Sequence, residues 1–301
     1  MTLYAINNAS LKEVHEKPFK LERDIQTLFE ENLNEVMSLT LVRSEFTIKN
    51  RRIDTLAFDE VTKAFIIVEY KRDKNISVID QGFTYLGLML ENKADFIVEY
   101  NEQLKQNLKR DQVDWSQTRV VFVSPSFTDF QVEATNFKDI AIELWEVKQY
   151  SNNTVAITQL KKSKSAESIK PLAQKNKAFK EVVEQIQVYT EEHHLETASP
   201  EMSELYEKFR NAILNLSYGI NLVPQKFYLA FKKEKSNIAC MELQKKRIKI
   251  WLGAKAGTLD DPKRLAIDVS STGHFGTGDY EVRVENDSDL EYIMSLAKQV
   301  L

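Results

Sequence analysis

Arg51–Arg72 reads RRIDTLAFDEVTKAFIIVEYKR, two apolar runs joined by a polar turn at Asp59–Lys63. The pattern predicts a β-hairpin. Ile53, Leu56 and Phe58 in one arm and Phe65–Val68 in the other are apolar enough to be buried, yet Asp54, Glu69 and Lys71 sit among them. A charge in such a place is costly unless it is paired or bound to a metal. Side chains two apart on a strand share a face, which puts Glu69 with Lys71 and Arg52 with Asp54. If Phe58 pairs with Ala64, Asp54 falls opposite Val68, one residue from Glu69. A shift of one at the turn would change that pairing.

Two carboxylates held a few ångströms apart repel, and a divalent cation removes the penalty. Mg2+ suits one or two carboxylates completed by waters and phosphate oxygens, and Mn2+ is the alternative. Such an ion can activate water and stabilise charge on a phosphodiester. Lys71 beside it can orient the water or offset phosphate charge. The bland alternative is a half-solvated hairpin in which Asp54 and Glu69 pair with Arg52 and Lys71.

Phe19–Met37 upstream carries Leu21, Ile25, Leu28, Phe29, Leu33 and Val36 at helical spacing. Glu22 at its start can join or brace the carboxylates, and Glu30 competes for that role. Leu41–Ile48 reads as a strand preceding the hairpin, whose arms are Arg52–Phe58 and Ala64–Lys71. Downstream, Asn75–Asn92 reads as a helix with Asn75 or Ser77 as N-cap. Gln81 and Tyr85 are four apart on it and share a face. The bland reading of that pair is surface polarity plus an aromatic packed on the sheet.

Further strands are expected at Asp95–Glu99, Thr118–Ser124, Ile140–Val147 and Thr154–Leu160, with helical stretches at Asn101–Leu108 and Asp129–Phe137 between them. This is an α/β pattern with a mixed sheet. Residues 161–202 read as a polar linker and a helix, with Val182, Val183, Ile186 and Tyr189 on one face of Phe179–Glu192. A second unit, 203–301, opens on helix Ser203–Leu216. Strands at Phe227–Phe231, Ser236–Leu243, Arg247–Leu252 and Gly278–Val284 follow, then a final helix, Asp287–Val300.

The order R-I-D at Arg52–Asp54, E-Y-K at Glu69–Lys71 and Q-x-x-x-Y at Gln81–Tyr85, preceded by a glutamate-bearing helix, resembles the PD-(D/E)xK nuclease superfamily in its RecB-like and archaeal mismatch-endonuclease-like branch. The resemblance covers about residues 15–160 and implies a nuclease-like domain over 1–160. It implies a restriction-endonuclease-like mixed sheet flanked by helices and a metal-dependent nuclease acting on DNA. By that likeness Asp54 and Glu69 are metal ligands and catalytic together with Lys71. Arg52, Gln81 and Tyr85 position substrate, and Glu22 is auxiliary. The motif's proline is absent, since Ile53 precedes Asp54.

The 203–301 unit resembles a small uncharacterised α+β domain found at the ends of nuclease-like and restriction-related proteins, sometimes labelled predicted transport proteins. The likeness rests on YLAF at Tyr228–Phe231, KKRIKIWL at Lys245–Leu252 and GHFGTGDYEVRV at Gly273–Val284. Its Gly273, Gly276 and Gly278 make no phosphate loop, because no Lys-Ser/Thr follows and a strand comes next. Lys245, Lys246, Arg247 and Lys249, near Tyr228 and Trp251, offer either a nucleic-acid contact or a solvated edge. For His274 in its Gly-rich loop, a functional role stands beside the bland reading of a turn that needs φ > 0 at glycine before a strand, and His193-His194 lack companion ligands.

The 301 residues are 43% hydrophobic and 29% charged, with a net charge of −4 and one cysteine, Cys240. This excludes an intramolecular disulfide or a cysteine-based zinc site. Neither half is basic, so nucleic-acid binding must come from a local patch. No apolar run approaches the roughly 18 residues that cross a bilayer, and the start has no secretion-signal pattern. The expectation is a cytoplasmic protein off the membrane whose partner is DNA. A homodimer would suit duplex cutting. The rival readings are a catalytically silent nucleic-acid- or protein-binding module, and an accessory protein of a defence or transport system.

Overall fold

The computed structural model describes residues 2–72, 77–163, 165–174, 177–196, 198–234, 236–274 and 276–301; Asn75, one of the expected helix caps, lies outside them. The chain divides into two units, Met1–Val188 and Tyr189–Leu301.

The first unit opens with a hairpin, β1 (Leu3–Asn7) and β2 (Ser10–Val14), followed by α1 (Glu22–Glu31) and α2 (Leu33–Met37). Next come β3 (Thr40–Ile48), β4 (Arg51–Asp59), β5 (Ala64–Tyr70), α3 (Val78–Glu91) and α4 (Lys93–Leu104). The unit continues with β6 (Arg119–Ser124), α5 (Asp129–Thr135), β7 (Ile142–Gln149), β8 (Val155–Leu160), α6 (Lys170–Ala173) and α7 (Lys177–Gln185). Strands β3 to β8 form one six-stranded sheet in chain order. It is mixed: β5–β6 and β6–β7 pair parallel, and the other neighbours pair antiparallel.

Every residue of β5 is buried, which explains its unbroken Phe-Ile-Ile-Val run. Alternate side chains serve two cores. Phe65 and Ile67 join Leu56, Phe58, Phe83, Met89 and Phe96 under α3 and α4. Ile66, Val68 and Tyr70 join Ile25, Phe29 and Leu33 under α1 and α2. The sheet is therefore the middle of three layers, with β5 and β6 as its central strands.

Several elements differ from the sequence reading. The helix expected over Phe19–Met37 starts at Glu22 and breaks at Asn32, whose side-chain amide donates to Leu28 O at 2.8 Å. A short amide bonding the preceding turn competes with helix continuation. Asp95–Glu99, expected as a strand, lies inside α4, which buries Phe96, Ile97 and Tyr100 on one helical face. A short apolar run does not by itself separate strand from helix. The β1–β2 hairpin turns on Asn8 and Ala9, both at positive φ, without the glycine that usually marks such a turn. The apolar face expected on a helix over Phe179–Glu192 is found on and just after α7, where Val182, Val183 and Ile186 join the α3-side core; Ile169 and Ala173, from the stretch read as linker, dock there too, and Phe179 stacks on Phe83 at 4.2 Å.

The second unit runs α8 (Glu191–Leu195), α9 (Pro200–Leu214), β9 (Ile220–Pro224), β10 (Leu229–Lys233), β11 (Ser236–Leu243), β12 (Ile248–Leu252), β13 (Ile267–Asp268), β14 (Tyr280–Val284) and α10 (Leu290–Lys298). Its sheet, ordered β13-β14-β12-β11-β10-β9, is antiparallel throughout. One face packs α9 and α10 through Tyr206, Phe209, Ile213 and Ile293. The edge strand β9, which ends in a proline, has no counterpart in the sequence reading.

Candidate active site

The site begins with the β4–β5 turn. Asp59 Oδ1 accepts the amides of Val61 (2.9 Å) and Thr62 (3.1 Å), so Asp59 ends its strand opposite Ala64, and Phe58 pairs with Phe65. This is one residue from the expected Phe58–Ala64 pairing. The last pair is Thr55–Val68, which leaves Asp54 beside Glu69. Each carboxylate then takes a backbone amide from the other strand. Asp54 N–H donates to Glu69 Oε1 and Tyr70 N–H to Asp54 Oδ2, both at 3.1 Å.

Lys71 follows the end of β5, its amide held by Val123 O of β6 at 2.8 Å. Its ammonium reaches Glu69 Oε2 at 3.2 Å, with side chains 13% and 2% exposed respectively. Helix α3, capped by Ser77 Oγ on the Asp80 amide, delivers the next two residues. Gln81 Nε2 donates to Glu69 Oε2 at 3.0 Å and approaches Tyr85 Oη at 3.1 Å. Tyr85 Oη donates to Arg52 O at 3.2 Å. Asp54, Glu69, Lys71, Gln81 and Tyr85 thus form one connected cluster where β5 ends.

Arg52 and Glu22 stand at the margin. The Arg52 side chain is exposed and lies 3.8 Å from Glu45; its carbonyl is the part bonded to Tyr85. Glu22 Oε1 accepts the Arg72 amide at 3.0 Å, bracing the chain just beyond Lys71. Glu30 is excluded from the carboxylate pair, because its Oε1 takes the Thr55 hydroxyl and the Gln26 amide. Gln26, which the sequence reading passes over, donates to Asp54 O at 3.0 Å. The available signal was its position on α1, four residues from both Glu22 and Glu30.

Burial dominates the electrostatics. It raises the Glu69 carboxyl to about 7, helped by the neighbouring Asp54 charge and opposed by Lys71. Burial also raises Asp54, with the Tyr70 amide and Lys71 opposing and Glu22 adding repulsion. Burial, then Glu69, pushes Tyr85 up to about 12, so it stays a hydrogen-bond donor at neutral pH.

This donor set fits a hard divalent cation. The two carboxylates repel, and Gln81 Oε1 is a buried acceptor with no partner among the described residues. Turning the amide over would set its oxygen against Glu69 Oε2, so the orphan faces away from the carboxylate. A hydrated cation supplies both positive charge and water donors. Among the described residues no group of three or more His, Cys, Asp or Glu could hold an ion. Two carboxylates completed by water and phosphate oxygens therefore describe the coordination these residues can offer.

Of the second unit's singled-out residues, His274, Lys249 and His194 have partners within that unit. His274 stacks on Trp251 at 6.0 Å, its ring nitrogens 2.9 Å from Thr272 O and 2.8 Å from Gly278 O. Gly278 sits at φ +95°, the turn geometry read from the sequence. Lys249 pairs with Glu281 at 3.3 Å and lies over Trp251. Lys245 and Lys246 are exposed in the Gln244–Arg247 turn. His194 Nε2 lies 2.7 Å from Gln225 O. Among the described residues no helix is long and apolar enough to cross a membrane.

Residues 191–299 match the family described as Domain of unknown function (DUF5655). Part of the chain shows a faint likeness to the crystal structure of a repair endonuclease from Pyrococcus abyssi, with 17% identity and a TM-score of 0.23. That match spans 40% of this chain and 44% of the other. A Haemophilus influenzae protein described as an uncharacterized protein is 52% identical over 301 residues, all of this chain and 99% of its own length. The chain belongs to the family of that Haemophilus influenzae protein.

Proposed function

We propose that the first unit is a nuclease that hydrolyses phosphodiester bonds in DNA with Mg2+ or Mn2+. The observation that carries this reading is the convergence of Asp54, Glu69, Lys71, Gln81 and Tyr85 in one hydrogen-bonded cluster built around two repelling carboxylates. Bound at Asp54 and Glu69, the cation would activate a water and offset charge gathering on the phosphate.

The chain's own groups do the rest. Asp54 and Glu69 are set by opposite strands whose amides fix both carboxylates, so the ligands are positioned before an ion arrives. Lys71 is fixed by β6 at its amide and by Glu69 at its ammonium; it donates to a phosphate oxygen or aligns the water. Tyr85 keeps its proton, and its hydroxyl serves the substrate with Gln81 as a pair of oriented polar groups. Water oxygen bonds to phosphorus, the bridging P–O bond breaks, and the departing oxygen takes up a proton. The second unit would select substrate or partner.

The test is cleavage of labelled single-stranded, duplex and branched DNA in Mg2+ or Mn2+ against EDTA. Metal-dependent products support the reading. Silence on every substrate removes it and leaves a binding module on the same scaffold.

A further inference from the structure

A cavity of about 330 Å3 is lined by Glu16, Lys17, Phe19, Arg72, Pro125, Val147 and Lys148. None of these residues belongs to the cluster, but Arg72 directly follows Lys71 in the chain. Lys71 closes on Glu69, and the next residue, Arg72, faces this cleft. Glu22 holds the Arg72 amide on one side, and its charge is felt by Asp54 on the other.

The cleft is basic in an acidic chain. Among its described lining residues, Lys17, Arg72 and Lys148 stand against one carboxylate, Glu16, and the Lys148–Glu16 pair is loose at 3.9 Å. Its walls are fixed by backbone bonds. Lys17 N–H donates to Gln149 O at 2.8 Å, Ser151 N–H to His15 O at 2.9 Å, and Glu16 bridges Tyr150. The Arg72 guanidinium is tied to Lys20 O at 2.9 Å. Phe19 and Val147 are buried, while Pro18 is exposed and Pro125 half-buried, so the two prolines give the cleft an accessible apolar surface beside the cations. Cations beside an apolar surface suit a phosphate followed by a sugar and base.

Resting on the nuclease reading above, we propose that this cleft is a substrate subsite for the nucleotide flanking the scissile phosphate, with Lys17, Arg72 and Lys148 receiving the adjoining phosphate. The DNA strand therefore leaves the carboxylates along the Lys71–Arg72 segment and passes between α1's approach and the end of β7.

The test is fluorescence anisotropy with a fluorescein-labelled single-stranded oligodeoxynucleotide in EDTA, where no cutting occurs, using wild type and a Lys17→Ala/Lys148→Ala double variant. Both lysines reach solvent, so the fold should persist, and an unchanged Tm verifies that. The expected result is a Kd raised about tenfold at low salt. The slope of log K against log salt should flatten by up to about 0.7, the value for one lost phosphate contact on a single strand. Lys148→Glu should weaken binding further. Unchanged affinity and slope in the double variant, or no binding by wild type at low salt, overturns the subsite. Binding that depends on the two lysines without cleavage in Mn2+ keeps the subsite and removes catalysis; cleavage with lysine-independent binding does the reverse.

Discussion

Asp54 and Glu69 hold each other's strands. The Asp54 amide donates to Glu69 Oε1, and the Asp54 carboxylate accepts the amide of the residue after Glu69, both at 3.1 Å. Neither carboxylate can leave without stranding a backbone donor, so the repulsion between them is built into the strand pairing.

Without metal, Glu69 should make stability fall as pH rises. Its carboxyl sits at about 7 in the folded chain against an ordinary 4.5. Between those values the folded state binds more protons than the unfolded one, so each rise in pH favours unfolding. In EDTA, this group's contribution is most favourable below pH 4.5 and is lost progressively up to about pH 7. The cost at pH 8 is on the order of 1–3 kcal/mol. Glu69→Gln should flatten the Tm profile between pH 5 and 8; a profile parallel to wild type would contradict the assignment.

Divalent metal should reverse that cost. Saturating Mn2+ raises Tm, with about 2.7 kcal/mol expected at a hundredfold excess over Kd. Asp54→Asn should abolish the rise, and lowering the pH below 7 should weaken metal binding because protons compete for Glu69. Differential scanning fluorimetry across metal concentration and pH reads both.

Tyr85→Phe removes one hydroxyl that bonds Gln81 and Arg52 O. Stability should drop by about 1 kcal/mol. On the proposed reaction, kcat/KM for DNA should fall about tenfold, because Gln81 loses the neighbour that orients it. Urea denaturation and steady-state kinetics separate the two effects.

Gly278→Ala should damage the second unit. The site has φ +95°, and an added Cβ would meet Leu252 O at 1.8 Å. Backbone cannot yield as a flexible side chain does, so the loss should exceed about 2 kcal/mol. Calorimetry checks it; a wild-type Tm would show that the loop carries no such constraint.

The parts readable in the sequence are those governed by short periods. Spacing of two placed Glu69 with Lys71, and spacing of four placed Gln81 with Tyr85; the structure finds both pairs in contact. The register that sets Asp54 beside Glu69 depends on how Asp59 caps its turn, which the apolar pattern does not specify. Gln26 was hidden because its target is a backbone carbonyl on a strand 28 residues away. The stretch at 95–99 looked like a strand because its apolar residues are contiguous, while α4 needs only Phe96, Ile97 and Tyr100 inward. The stretch from Lys161 to Phe179 looked like a linker because its lysines and serines outnumber the apolar residues, Ile169 and Ala173, that dock on the α3-side core.

The most direct measurement compares cleavage of labelled DNA by wild type and Lys71→Ala at one Mn2+ concentration, with both proteins shown to be folded by circular dichroism. The account predicts cutting by wild type and a loss of at least about a hundredfold in Lys71→Ala, the scale of removing a group that acts on the reacting phosphate. Equal rates in the two proteins, or no cutting by either, would contradict it.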